Sequence, residues 1–564
     1  GSLLLWLLPS ILSSQSRGDP HPTRCQQSPT RVSCRGAGLQ TFPEELGQGV
    51  KHLELSNNSI QTLWGGHTLG LGQLEYLDLS FNRLEALSAP VLAQLPRLRS
   101  LLLGSNRLAR NSAANGEALR QLPSIELLDL SANALESHVA SWYVSSLPSL
   151  RVLDLSGNRM TRLLAGVFGG SPRLRQLDLS DNYLMEIEEG TFEALGELEV
   201  LDLALNSLHC VTGFSLTRLR VLNLRHNALE LFVLEERAEP YRLRVLDLSY
   251  NRLLRFPELP SAHHLTLLNL SNNLIASLLP GSRDAGAFLL PYREMTRSNG
   301  TRAAAAGLTG VAHLDLSNNR LELLPVAFLQ RLGSLHSLSL AGNCLREVAG
   351  ELPAGGTEPG ARPPALSVRW LDLRDNDLRV LPPWFLLALE GVDLGSNSLR
   401  PCGSPWGAES LGEALEGTCT PFYNLPGLRH LSLRKNGISR LQPFAFNRTP
   451  LLSLDLSGNR DLLMAGEALA GLESSLQELS LRDNQMDNSQ AELPCLGALA
   501  VLDLSGNRLG HLPSGLSCSR LRSLDLRSNR LQSLETPALA EWCRSLRDVA
   551  LAGNPFSCCS LGWL

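Results

Sequence analysis

The 564-residue chain lacks the residue arrangements that carry common catalysis. It has no Gly-x-Ser-x-Gly elbow, no Gly-Lys-Ser/Thr phosphate loop and no His-Glu-x-x-His metal pair, and its 12 histidines are scattered. Nothing in it calls for a metal or a cofactor, and the reading is that it is not an enzyme. The formal net charge of −5 is small for this length, and no basic stripe points to nucleic acid. After the first few residues, no stretch reaches the roughly 18–20 consecutive apolar residues that would span a bilayer.

What the chain has is repetition. About 20 times it spells Leu-x-x-Leu-x-Leu-x-x-Asn-x-Leu, as in Leu74–Leu84, Leu174–Leu184 and Leu521–Leu531, mostly at about 21–25-residue intervals. That period predicts an α/β leucine-rich repeat solenoid: one short strand per turn, a parallel sheet on the concave side of a horseshoe, and an irregular or short-helical convex side with disulfide caps. The spaced leucines must point inward, because no single repeat buries its own apolar face. The asparagines, Asn82, Asn106, Asn158, Asn182 and Asn206 among them, fall where the chain leaves the strand. An amide there can satisfy backbone groups that would otherwise be buried unpaired.

The interruptions divide the chain. Residues 1–17 read as the end of a secretory signal and 18–49 as an N-terminal cap in which Cys25 and Cys34 bond. Repeats fill 50–275, and a long loop at 276–310 is expected to break the array. Repeats resume over 311–400, with a Gly/Pro-rich insertion at 349–365. Cys402 and Cys419 bracket a disulfide-closed interruption at 401–427, and a third run of repeats occupies 428–554. Cys558 and Cys559, in 555–564, read as half of a C-terminal cap, with any membrane anchor beyond Leu564. Four Asn-x-Ser/Thr sequons, at Asn57, Asn269, Asn299 and Asn447, join the cysteines in suggesting a glycosylated cell-surface ectodomain.

Two features could carry function. Acids recur at the x of Leu-x-Leu (Asp78, Asp129, Asp154, Asp178, Asp202, Asp247, Asp315, Asp372, Asp455, Asp503 and Asp525) and face the solvent side of the strands. They could bind a cation or a basic partner, or they could be ordinary repeat phrasing. Phe81, Tyr250 and Trp370 near that face are too few to define a patch. The cysteines are sharper. Cys518 and Cys543 stand three residues before the first leucine of a phrase and read as core substitutes in adjacent repeats, which could even bond; Cys495 fits no register. Cys344 occupies the x of Asn-x-Leu and Cys210 lies four past Asn206, both surface positions. Five strand spacings separate their repeats by about 24 Å, whereas a disulfide needs Cα atoms within about 7 Å. Two exposed thiols in an oxidising compartment are either idle or bonded to another chain.

The stretches Tyr183–Leu198, Leu205–Leu222, Leu268–Ile275, Gly342–Glu347, Glu492–Pro513 and Gly553–Leu564 resemble the GARP family of latent transforming growth factor beta anchors. A paralogue, negative regulator of reactive oxygen species, shares the plan. The resemblance implies that Cys210 and Cys344 form disulfides to the two prodomains of the latent growth factor dimer. It also implies a type I membrane anchor after the cap, and activation by integrins that pull on the prodomain. Residues 278–307 and 349–365 depart from the family pattern, which puts the growth-factor isoform in doubt. Two other readings remain open: a Toll-like pattern-recognition ectodomain, and a noncovalent adhesion or matrix-binding protein.

Overall fold

In the computed structural model, the described residues are 25–43, 46–63, 70–211, 216–234, 239–260, 263–278, 308–330, 332–349, 366–404, 419–465, 467–534, 542 and 545–556. They belong to two compact units, 1–183 with 190–197, and 184–189 with 198–564.

In the first unit, the strand Gln26–Gln27 pairs antiparallel with Arg31–Ser33, closing the cap. Arg31–Ser33 then pairs parallel with His52–Glu54, the strand of the first repeat. Tyr76–Asp78, Ser100–Leu102, Leu127–Asp129, Val152–Asp154 and Gln176–Asp178 follow in parallel, with no slip in register. Among the described residues, the returning side carries the short helices Ala89–Leu92, Ser112–Leu119 and Ser137–Val144.

The second unit repeats the pattern from Val200–Asp202 to Asp548–Ala550. Leu267–Asn269 pairs directly with His313–Asp315, so the interruption at 276–310 lengthens one connection without opening the sheet. Gly391–Asp393 and His430–Ser432 are likewise neighbours across the interruption at 401–427. Insertions on the returning side are tolerated because closing a longer loop costs little extra free energy, whereas a lost ladder would orphan backbone donors.

The alternation within each strand builds the core. Leu77 and Leu79 are buried while Tyr76 and Asp78, which alternate with them, are half-exposed, and the same pattern recurs turn after turn. Each buried leucine contributes about 1.5–3 kcal/mol. Phenylalanines fill the returning side: Phe168 stacks on Phe192 at 6.2 Å, and Phe422 meets Phe446 at 6.4 Å, all four buried.

The asparagines stitch successive turns together. Asn82 Nδ2 donates to the carbonyls of Leu79 (3.0 Å) and Leu55 (2.9 Å), and Oδ1 accepts the Ile60 N–H (3.0 Å). Asn106 repeats this with Leu103, Leu79 and Leu84. The residue just before the asparagine is left-handed in repeat after repeat, with φ 54° at Phe81, 56° at Leu205 and 55° at Tyr250. Such a conformation is costly without glycine. The amide's bonds to both sides of the turn hold it in place, and the forced turn throws the preceding side chain outward.

Candidate partner-binding site

Cys210 begins the two-residue strand Cys210–Val211, which pairs parallel with Leu231–Phe232 in the register Cys210↔Leu231. Val211 and Phe232 are buried, so the alternation that anchors this ladder turns Cys210 and Leu231 outward. Leu231 is 50% exposed, and so is Leu205 (51%) in the left-handed position of the same turn as Cys210. The thiol therefore stands on an apolar part of the flank.

Cys344 is built differently. Its N–H donates to the Leu321 carbonyl at 3.0 Å, between the buried side chains of Asn343 and Leu345. The neighbouring turns place Arg320 and Asp377 at the same position, each with its N–H on the preceding turn's carbonyl at 2.9 Å. This thiol is exposed among charges. Among the described residues, Cys210 and Cys344 are the free cysteines. Both lie in the second unit, five strand steps apart, from Val200–Asp202 to Ser337–Ser339.

Three disulfides join the other described cysteines. Cys25 bonds Cys34 in the cap, with Cα atoms 4.3 Å apart, and Cys402 bonds Cys419 with Cα atoms 5.2 Å apart. The third, Cys495–Cys518, corrects the expectation that Cys518 substitutes for a core leucine. A 3-10 helix at Ser514–Cys518 turns Leu516 inward and leaves Cys518 exposed, next to the exposed Cys495 one turn earlier. Their separation of 23 residues is one repeat, the signal that could have placed Cys495. Cys543, Cys558, Cys559 and Asn299 lie outside the described residues.

The remaining sequons differ in setting. Asn57 is exposed and left-handed, at φ 58°. Asn269 is half-buried on the sheet face and donates to Asp247 Oδ2 at 3.3 Å. Asn447 is half-buried, and the hydroxyl of its sequon partner Thr449, itself buried, donates to the Phe422 carbonyl at 2.8 Å.

The acid column has a structural duty. Asp78 Oδ1 accepts the Ser80 N–H (2.9 Å) and hydroxyl (2.6 Å), and Asp154 and Asp503 do the same with Ser156 and Ser505. Asn223 and Asn269 replace the acid in two turns and still accept the N–H two residues on, at 3.1 Å. In those two turns a neutral acceptor closes the exit turn, so a charge is dispensable there. Burial pushes the carboxyls of Asp129 and Asp372 above the usual carboxylate range, despite their hydrogen bonds. Among the described residues, no group of three or more His, Cys, Asp or Glu could hold a metal ion.

Leucine-rich repeat family patterns match residues 48–108, 123–184, 172–229, 242–262 and 498–519. Transforming growth factor beta activator LRRC32 of Mus musculus is 38% identical over all of this chain and 87% of its own length. The Pongo abelii protein of the same name is 39% identical over the same shares. The chain belongs to the LRRC32, or GARP, family. Transforming growth factor beta activator LRRC33 of Danio rerio is 29% identical over 99% of this chain and 84% of its own. Among solved structures, the TLR13–ssRNA13 complex matches 89% of this chain and 75% of that one, with a TM-score of 0.55 and 21% identity. YopM from Yersinia enterocolitica matches 93% and 87%, at 0.51 and 22%. At that identity the two likenesses bear on the fold alone, a leucine-rich repeat scaffold.

Proposed function

We propose that this chain is a cell-surface anchor for latent transforming growth factor beta. Cys210 and Cys344 each form a disulfide to one prodomain of the growth factor dimer, and the tether supports integrin-dependent release. The observation that carries this is the pair of free, exposed thiols in a family whose members are named as transforming growth factor beta activators, while the other described cysteines are paired. Their placement suits a two-armed partner: five strand steps of about 4.8 Å set them about 24 Å apart, too far to bond each other. The mechanical logic is simple. An integrin pulling on the prodomain does work on it only if the other end is held, and a covalent bond holds under a load that would dissociate a noncovalent interface. In this reading the chain is extracellular and is attached to the membrane through a segment beyond Leu564, with its sequons glycosylated.

The test is co-expression with the pro-form of the growth factor, followed by a non-reducing gel. A reducible high-mass band is expected, weakened by Cys210→Ala or Cys344→Ala alone and abolished by both together. A band at the free-chain position in every lane would refute covalent anchoring.

A further inference from the structure

Trp370 opens the strand Trp370–Asp372 on the sheet face that carries the acid column, and it is 45% exposed. The next two strands place Gly391 and then His430 beside it in register. With parallel strands about 4.8 Å apart, the Trp370 and His430 backbones stand roughly 10 Å from each other. Their ring centroids are nonetheless only 5.3 Å apart, with 31° between the planes. The indole closes the gap by lying across the strand between them. Gly391 is what permits it: a Cβ there would sit 2.3 Å from Trp370 Cζ3 and 2.4 Å from Cε3. A glycine inside a strand weakens it and marks a close approach. On the other side the register partner is the small Ser337. The outcome is a flat aromatic platform with one face on the glycine and the other open to solvent.

The charges around the platform select the ligand class. At one end of the three strands, Asp372 and Asp393 share Arg374, at 2.9 Å and 3.7 Å. At the other end, Arg369, Glu390 and Arg429 immediately precede the three platform residues. With Ala388, Leu389 and Gly427 they line a depression of about 290 Å³. Three arginines and three acids balance in number. A cationic ligand on an indole face would gain from an excess of acids, and these six residues offer none. A neutral, polyhydroxylated ring gains from what is present: an aromatic face with donors and acceptors of both signs at its rim.

We propose that Trp370, Gly391 and His430 form a carbohydrate-binding platform that takes one pyranose ring of a glycan by its C–H face. The axial hydrogens of a pyranose are positively polarised and the indole face is negative, so the two stack. The depression next to the platform has room for the adjoining sugar, with Arg369 and Glu390 as its hydrogen-bonding partners.

The test uses the isolated chain, so it stands apart from the growth-factor reading. Saturation-transfer NMR and calorimetry with N-acetyllactosamine, and with a mannose trisaccharide as second probe, compare it with Trp370→Ala and Gly391→Val. Valine holds the same register position in Val200, Val221 and Val245, so Gly391→Val should fold while pushing the ring off its seat. Expected is millimolar binding of one of these probes, weakened about tenfold or more by either variant at unchanged melting temperature. Absence of saturation transfer from both sugars to the unaltered chain would overturn the proposal, as would equal binding by Trp370→Ala. Loss of growth-factor complex in the two variants without sugar binding would also overturn it, and would assign the face to protein contact.

Discussion

Replacing Asn251 by alanine should cost about 3–5 kcal/mol, and the hydrogen bonds show where that comes from. Asn251 is buried, and its Nδ2 donates to the carbonyls of Leu224 (2.9 Å), Leu248 (3.0 Å) and Ser249 (3.3 Å). Its Oδ1 accepts the Leu229 N–H at 3.0 Å. The three carbonyls each keep another donor: Asn227 Nδ2, Asn273 Nδ2 and the His226 N–H. The Leu229 N–H keeps none that the structure shows. The loss is therefore one orphaned buried donor, about 1–3 kcal/mol, plus about 1 kcal/mol for each of the amide's two N–H groups, which the three carbonyls share. Asn251→Asp should be no better, because it retains the acceptor but turns a carboxylate toward three carbonyls. Repeat arrays need not unfold in one step, so hydrogen exchange at the Leu229 amide reads the effect more directly than a melting curve. A loss of about 4 kcal/mol would accelerate exchange there roughly a thousandfold. An unchanged exchange rate, or a stability loss under about 1 kcal/mol, would refute the claim that the amide is the stitch between turns.

Further expectations follow from individual contacts. Cys402→Ser opens a loop with a sequence separation of 17, and should cost about 3 kcal/mol and admit proteases near 402–419 in a limited digest. Tyr143→Phe should cost about 1 kcal/mol, because the hydroxyl donates to the Leu108 carbonyl at 2.8 Å but that carbonyl also accepts Asn115 Nδ2 at 2.9 Å. Burial raises the Tyr143 phenol to about 12, so its contribution to stability is present below the ordinary tyrosine range and is lost as pH rises through about 12. A spectrophotometric titration should show a phenol ionising late in the folded chain and normally once it is denatured. The Asp129 carboxyl is raised by burial, so its contribution is present below the ordinary aspartate range and fades as pH climbs through the folded value. Asp129→Asn should therefore be neutral or mildly stabilising at pH 7 in chemical denaturation, keeping an acceptor for the Ser131 N–H now at 2.8 Å; a marked loss would show that the charge itself is needed.

The repeat phrase made most of the fold legible, because strand alternation and the asparagine turn are properties of single residues at fixed spacing. Leu77 and Leu79 inward, Asp78 outward and Asn82 across the turn all follow from the words of one phrase. What escaped was set between turns. Strand pairing from Asn269 to Asp315 passes over the insertion at 276–310, since the sheet depends on strand ends and not on loop length. Leucine register does not reveal the Cys495–Cys518 bond, because the helical turn at Ser514–Cys518 shifts the cysteine outward. The acid column is legible as a pattern, but its duty toward the N–H two residues on appears only with the backbone in place. Cys210 and Cys344 stand out in the sequence by position alone, whereas the apolar setting of the first and the charged setting of the second come from the neighbouring turns. The platform at Trp370 rests on a glycine one strand away, a relation that no single repeat contains.

The central claim is that Cys210 and Cys344 each carry a separate prodomain. Peptide mapping by mass spectrometry, on the complex purified and digested without reductant, tests it most directly. The account predicts two reducible cross-linked species, one joining the Cys210 peptide and one joining the Cys344 peptide to the same prodomain cysteine. Recovery of both cysteines as free thiols, or in peptides joined to any other residue of this chain, would contradict it.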